Sequence, residues 1–340
     1  MKLAVRLAPL AGAVWIVLSG GAARADDVAD FYRGRTITLI AGFNVGGGAD
    51  AYARIIARHL GAHVPGGPAV VVKNMQGAGS VLAANHIFNV SPKDGSEIGL
   101  FAGNIVVDPV IGGVPSKYDA RKFNWIGAPA SETSVCVASP ASAFKTIDDA
   151  LRTEMVTGTA GTSTYDFPVV LNNVLGTRLK LVKGYAGSAA LRLAMERGEI
   201  DGFCGVGLSS MRAAGLADGK ANILLQIALK RNPRLPDVPF VMDYAKRAQD
   251  RQILRLVFGW MDLERPLAAP PGTPAERVKA LRAGFDAAMK DPAVLADADA
   301  AALAIDPMDG AAIASFVEEA YQTPPAVAAR AAQLLGRGAQ

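Results

Sequence analysis

Apolar residues recur along most of the chain in short blocks, separated by glycine-rich or polar stretches. Thr36-Ile37-Thr38-Leu39-Ile40-Ala41 is rich in β-branched and apolar residues and predicts a strand. A loop from Gly42 to Gly48 follows, and Asp50 begins a predicted helix that runs to residue 60. Residues 69–73 predict a second strand. The loop Gln76-Gly77-Ala78-Gly79-Ser80 then leads into a helix ending near Phe88, and residues 97–102 predict a third strand. Strand, loop, helix and strand in this order is the rhythm of a parallel sheet with helical crossovers.

A second series of the same kind begins near Ser134. Strands are predicted at 135–138, 155–159, 179–183, 200–204 and 222–228. Thr146 caps a helix, with Asp149 placed to complete a capping box. The loop Gly161-Thr162-Ser163-Thr164 precedes a helix over 166–175, and Gly184-Tyr185-Ala186-Gly187 precedes one capped by Ser188. Residues 255–261 are apolar again. Arg265-Pro266-Leu267-Ala268-Ala269-Pro270-Pro271-Gly272-Thr273-Pro274 reads as a surface connection. Helices over 275–289, 293–303 and 310–322 are then expected to wrap back onto the first domain. The fold class is α/β in two domains.

With 340 residues, 51% hydrophobic and 19% charged, the chain has ample material for a core, which excludes disorder and a charge-driven nucleic-acid binder. A mean hydropathy of +0.23 directs attention to membrane segments. One stretch qualifies. Lys2 and Arg6 precede an apolar run over 7–18, and Ala23-Arg24-Ala25 offers a small-x-small cleavage site. This predicts a secretory signal peptide cut after Ala25, which places the mature protein outside the inner membrane. An uncleaved anchor is the alternative, for which the run is short. Removing Lys2, Arg6 and Arg24, with no acid among residues 1–25, lowers the net charge from +4 to +1. The basic balance therefore implies no acidic partner. Cys136 and Cys204 are the two cysteines; one disulfide or two buried thiols are both open.

Four loops share one pattern: a strand, a Gly/Ser/Thr loop, then a helix N-terminus. They are Phe43-Asn44-Val45-Gly46-Gly47-Gly48, the 76–80 loop, the 161–164 loop and Tyr185-Ala186-Gly187-Ser188. Free N–H groups at the positive end of a helix suit an anion, and hydroxyls add donors. Neither nucleotide signature, G-x-G-x-x-G or Gly-Lys-Ser/Thr, is present. His59 and His63 flank a helix end without a metalloprotease glutamate, and His86 lies in an apolar helix, so no metal is expected. No G-x-S-x-G occurs, and Asp148-Asp149 and Glu318-Glu319 read as surface charge. No cofactor is expected.

Tyr32-Arg33-Gly34-Arg35-Thr36-Ile37-Thr38-Leu39-Ile40, with Gly46-Gly47-Gly48-Ala49-Asp50 and Ala53-Arg54, resembles the start of the tripartite tricarboxylate transporter substrate-binding receptors, the Bug family. Asn74-Met75-Gln76-Gly77-Ala78-Gly79, Pro92-Lys93-Asp94-Gly95, Gly184-Tyr185-Ala186-Gly187-Ser188, Gly198-Glu199-Ile200-Asp201, Leu235-Pro236-Asp237-Val238-Pro239 and Pro270-Pro271-Gly272-Thr273-Pro274 match further family motifs in order. The resemblance implies a periplasmic binding protein of Venus-flytrap form, with a cleft between domain 1 (26–133 and 262–340) and domain 2 (134–261). It implies a monomer that captures a small di- or tricarboxylate or aromatic acid and delivers it to permease subunits in the membrane. Carried over, Phe43, Asn44, Gly47, Gly48, Ala49, Gly77, Ala78 and Gly79 would line the site from the first domain. Thr162, Ser163 and Tyr185 would meet the ligand from the second, with Asp201 bordering the cleft. Two departures stand out: the family's loop prolines are Asn44 and Val45 here, and its Tyr-Lys-Gly lysine is Ala186. A ligand-presenting sensor and a carboxylate-processing enzyme are the rival readings.

Overall fold

In the computed structural model, which describes residues 23–337 except 114, 214, 217 and 218, the strands form two sheets. The predicted signal peptide lies outside the described residues up to position 22. The chain enters through α1 (Ala23–Tyr32), β1 (Thr36–Ala41), α2 (Gly48–Leu60), β2 (Ala69–Asn74), α3 (Val81–Asn89), β3 (Glu97–Leu100) and β4 (Asn124–Ala128). It continues through β5 (Ser134–Ala138), α4 (Ile147–Arg152), β6 (Met155–Gly158), α5 (Thr162–Val174), β7 (Leu179–Val182), α6 (Ser188–Glu196), β8 (Gly202–Gly207), α7 (Leu208–Ala213), β9 (Asn222–Ile227) and α8 (Ala248–Phe258). It returns as β10 (Leu267–Ala269), α9 (Ala275–Ala288), α10 (Pro292–Ala300), β11 (Met308–Asp309), α11 (Gly310–Tyr321) and α12 (Pro325–Leu334). Among the described residues no helix is long and apolar enough to cross a membrane.

The first sheet has the order β11-β4-β10-β3-β1-β2 and the second β7-β6-β8-β5-β9. β1 runs parallel to both β2 and β3, with Leu39 opposite Val72 and Ile98. β6 runs parallel to β7 and β8, whereas β5 is antiparallel to β8 and β9. Side chains of a strand point alternately to its two faces. Ile37 and Leu39 accordingly join one core with Ile56, Leu281 and Phe285, and Ile40 joins another on the opposite face. That second core continues through Phe258 and Phe167 to Cys136 and Leu225 of the other sheet. Apolar packing is thus continuous between the two lobes.

Two crossing segments join the lobes and pair with each other. Glu264 N–H donates to the Ala130 carbonyl at 3.0 Å, and Glu132 N–H donates to the Met261 carbonyl at 2.9 Å. The expected surface connection at 265–274 is corrected here. Leu267, Ala268 and Ala269 are fully buried and form the antiparallel strand between β3 and β4. Pro266 and Pro270 frame a three-residue strand and disguise it as coil. A second correction concerns the C-terminus: α9, α10 and α11 pack on the first lobe as expected, but α12 packs on α8 and α5.

Smaller differences follow local chemistry. α5 starts at Thr162, a turn earlier than predicted, because Thr164 Oγ1 donates to the Gly161 carbonyl and accepts from Ala160 N–H. Gly187 occupies the N-cap expected for Ser188, which is the first helical residue. Thr146 and Asp149 do form the capping box. Cys136 and Cys204 are bonded, which joins β5 to β8. His59 and His63 pair with Asp297 and Asp291, each at 2.8 Å, and His86 with Glu97 at 2.9 Å. Among the described residues no cluster of metal ligands is present.

Candidate ligand-binding cleft

In open α/β sheets, ligands gather where the strands end in their C-terminal direction. β1 ends at Ala41, β2 at Asn74 and β3 at Leu100, and the 42–48, 75–80 and 101–104 segments leave from these ends. Their geometry is fixed by polar groups. Asp50 is buried and accepts from Gly46 N–H at 2.9 Å, Arg54 Nε at 2.8 Å and Asn74 Nδ2 at 2.8 Å. Asn74 also donates to the Phe43 carbonyl. Burial alone would raise the Asp50 pKa, but these donors together outweigh it and hold the carboxyl at about 2.

The second loop is wound left-handed. Ala78, Gly79 and Ser80 have φ values of 47°, 62° and 74°. Non-glycine residues in this region carry strain and persist where the surroundings hold them. Ser80 is the holding point: its buried Oγ donates to the Gly42 carbonyl at 2.9 Å and accepts from Ala102 N–H at 3.0 Å. A Cβ on Gly42 would lie 2.6 Å from that oxygen, so only glycine fits. Asn104 stands next to this loop, its Nδ2 3.5 Å from where a Gly79 Cβ would be.

On the other lobe a cavity of about 290 Å³ opens at the ends of β6 and β7. Thr159, Ala160, Gly161, Tyr165, Lys183, Gly184 and Tyr185 line it. Lys183 is exposed, and its Nζ lies 4.5 Å from the Tyr165 ring centre, a cation–π contact that leaves ammonium protons free for a ligand. The N-termini of α5 and α6 follow the two lining loops and add a positive field. Such a wall attracts a carboxylate.

The structure places most of the expected residues at the strand ends of one lobe or the other. Asn44, Gly47, Gly48, Ala78 and Gly79 are exposed at the strand ends of the first lobe, with Ala49 and Gly77 half-buried beside them. Phe43 instead packs against the core beneath. Tyr185 lines the cavity with one side on the second lobe's outer core, while Thr162 and Ser163 sit in the adjoining first turn of α5. A Cβ on Gly205 would press to 2.3 Å from the Ser163 carbonyl, which fixes how closely that turn lies on β8. Asp201 is not brought there. It precedes β8, and its Oδ2 accepts from Val156 N–H at 2.8 Å, near the start of β6 and at the far end of the sheet. Its role is a sheet-end hydrogen bond.

Sequence reasoning passed over Lys183, Asp50, Ser80 and Asn104. The missing lysine at Ala186 was the signal for Lys183, since a cation two positions before Tyr185 can serve the same wall. Ser80 and Asn104 carried no such signal, because their partners are distant in sequence.

The family model described as "Tripartite tricarboxylate transporter family receptor" matches residues 53–325. The match begins just after the first loop, so that loop's place in the cleft rests on its geometry. A protein of Pseudomonas sp. (strain P51), described as a UPF0065 protein in the tcbD-tcbE intergenic region, is 28% identical over 275 residues, covering 78% of this chain and 77% of its own. A TctC solute binding protein from Polaromonas superposes with a TM-score of 0.70 at 20% identity, over 90% of this chain and 99% of that one. Rpa4515 of R. palustris, solved with adipate, superposes with a TM-score of 0.63 at 20% identity, over 88% of this chain and 97% of that one. The shared architecture is that of two-domain periplasmic binding proteins. With its two parallel-based sheets, paired crossing segments and a family match over most of its length, the chain belongs to the tripartite tricarboxylate transporter receptor family.

Proposed function

We propose that this receptor captures a small dicarboxylate between its lobes and delivers it to the membrane subunits of a tripartite transporter. The carrying observation is the cavity holding Lys183 beside the N-termini of α5 and α6. One carboxylate meets Lys183 and the backbone N–H groups of the second lobe. The other meets N–H groups of the 44–48 and 77–79 loops other than that of Gly46, which Asp50 already holds, and Gly47, Gly48 and Gly79 allow close approach. The adipate held by the R. palustris relative supports this class of ligand. All seven cavity-lining residues belong to the second lobe, as befits a site completed on closure. A ligand touching both walls only when they meet shifts the equilibrium toward the closed form, which the permease reads. The protein works as a periplasmic monomer after removal of residues 1–25, with domains bounded near 133 and 262.

A thermal-shift and calorimetric panel tests the reading, using succinate, malate, adipate, citrate and benzoate on the mature protein. Binding to the native state raises the midpoint by mass action. A shift with one or more dicarboxylates, each recovered unchanged, is expected. A shift with benzoate alone, or conversion of the ligand, overturns it.

A further inference from the structure

Behind the cleft, three charged side chains from three distant parts of the chain meet. Asp108 follows the strand-end segment of the first lobe, Asp166 lies one turn into α5 of the second, and Arg337 follows α12. Arg337 Nη1 donates to Asp108 Oδ1 at 3.2 Å, and its Nη2 donates to Asp166 Oδ2 at 2.6 Å. Side-chain exposure is 7% for Asp108, 12% for Asp166 and 19% for Arg337, so solvent screens the group poorly. Asn104 Nδ2 donates to the other oxygen of Asp108 at 2.6 Å.

Each end of this chain of bonds reaches a wall of the cleft. Asn104 is the side chain that stands beside Gly79 of the left-handed loop. Asp166 lies on the same helix as Thr162 and Ser163, a turn further along. We propose that Arg337 is a positioning residue that couples the two walls, holding the first-lobe loop and the α5 N-terminus in register. The proposal rests on the receptor reading for its purpose but not for its geometry. A single guanidinium spans two carboxylates because its planar fork presents several donors at once, which an ammonium cannot reproduce.

Proton binding gives the coupling a signature. Burial pushes the Asp166 carboxyl up to about 6, against the lowering pull of Arg337 and with a raising push from Asp108. Burial raises Asp108 as well. Tyr118 and Asn104 face Asp108 from the first lobe, and α8 and the segment after it meet α5 here with the rings of Phe258 and Trp260. Docked Arg337 lowers the Asp166 pKa relative to a state in which the segment after α12 has swung away and α5 stays packed. Docking is therefore favoured by deprotonation: its contribution is complete only above the higher pKa of the undocked carboxyl, declines below that, and is lost as pH falls through about 6.

The test is hydrogen–deuterium exchange on the unliganded mature protein from pH 8 to 5, corrected for intrinsic rates, in wild type, Arg337→Met and Arg337→Lys. Arg337→Met should speed exchange roughly tenfold at both 102–108 and 162–166 at pH 7. Arg337→Lys should restore part of the protection. Wild type should lose protection below pH 6, and Arg337→Met should not. Faster exchange confined to α12, or an unchanged pH profile, overturns the proposal. Adipate affinity is measured in parallel: no binding by wild type counts against the receptor reading alone, since the exchange result needs no ligand.

Discussion

The strand-end loops of the two lobes differ in what holds them. In the first lobe the loops are tied by buried polar groups: Asp50 gathers three donors, and Ser80 bridges the ends of β1 and β3. In the second lobe the rigidity lies in the sheet beneath, where a disulfide links β5 to β8, while Lys183 projects from a glycine-flanked loop. A wall that offers backbone N–H groups has to be fixed, because its donors cannot adjust to the ligand. A wall that offers an ammonium on a flexible stem tolerates ligands of different length.

Reducing the disulfide should break the comparison most severely. The bridge closes a loop with a sequence separation of 68, so its loss should cost about 4 kcal/mol by the chain-entropy model. Urea unfolding with and without reductant measures it. Ser80→Ala comes next. It removes the partner of the buried Gly42 carbonyl and of the half-buried Ala102 N–H, for a cost of roughly 1–3 kcal/mol. Ligand affinity should fall with it, whereas a loss of stability with affinity intact would show that the left-handed loop does not shape the site.

Asp50 gives a smaller, pH-dependent effect. Its folded pKa of about 2 lies below the ordinary 3.8, so its contribution is present above about pH 4 and lost as pH falls through 2. Asp50→Asn should flatten that part of the stability profile, measured by unfolding at a series of pH values. Lys183→Met should change stability least, within about 0.5 kcal/mol for an exposed side chain. It should weaken carboxylate binding by roughly 10- to 100-fold, the worth of a charge-assisted hydrogen bond. Affinity unmoved by this substitution would remove Lys183 from the site.

How legible all this was depends on whether the signal was local. β1, β2 and β3 and most of the second sheet show as apolar runs bounded by glycine, and they fall close to their expected positions. β4 mixes Asn124 and Gly127 with its apolar residues, and β10 is three residues between prolines; both are strands only because neighbours complete them. α8 and α12 were not separated from their polar and alanine-rich surroundings. At the site, the loops were readable from glycine and hydroxyl content. Asp201 was placed from its motif alone, which does not show that its carboxylate turns to Val156 N–H in the neighbouring strand. The ties made by Ser80, Asn104 and Arg337 join positions far apart in sequence, where no pattern of spacing marks them.

The position of β10 also sets an order of assembly. It lies between β3 and β4, so the first sheet stays split until residues 267–269 have left the ribosome. By then every strand of the second sheet, from 134 to 227, has already been made. The lobe encoded first is thus the lobe finished last, a reversal of the usual N-to-C progression. A nascent chain whose leading half cannot close keeps that half's strand edges unpaired until β10 has been made.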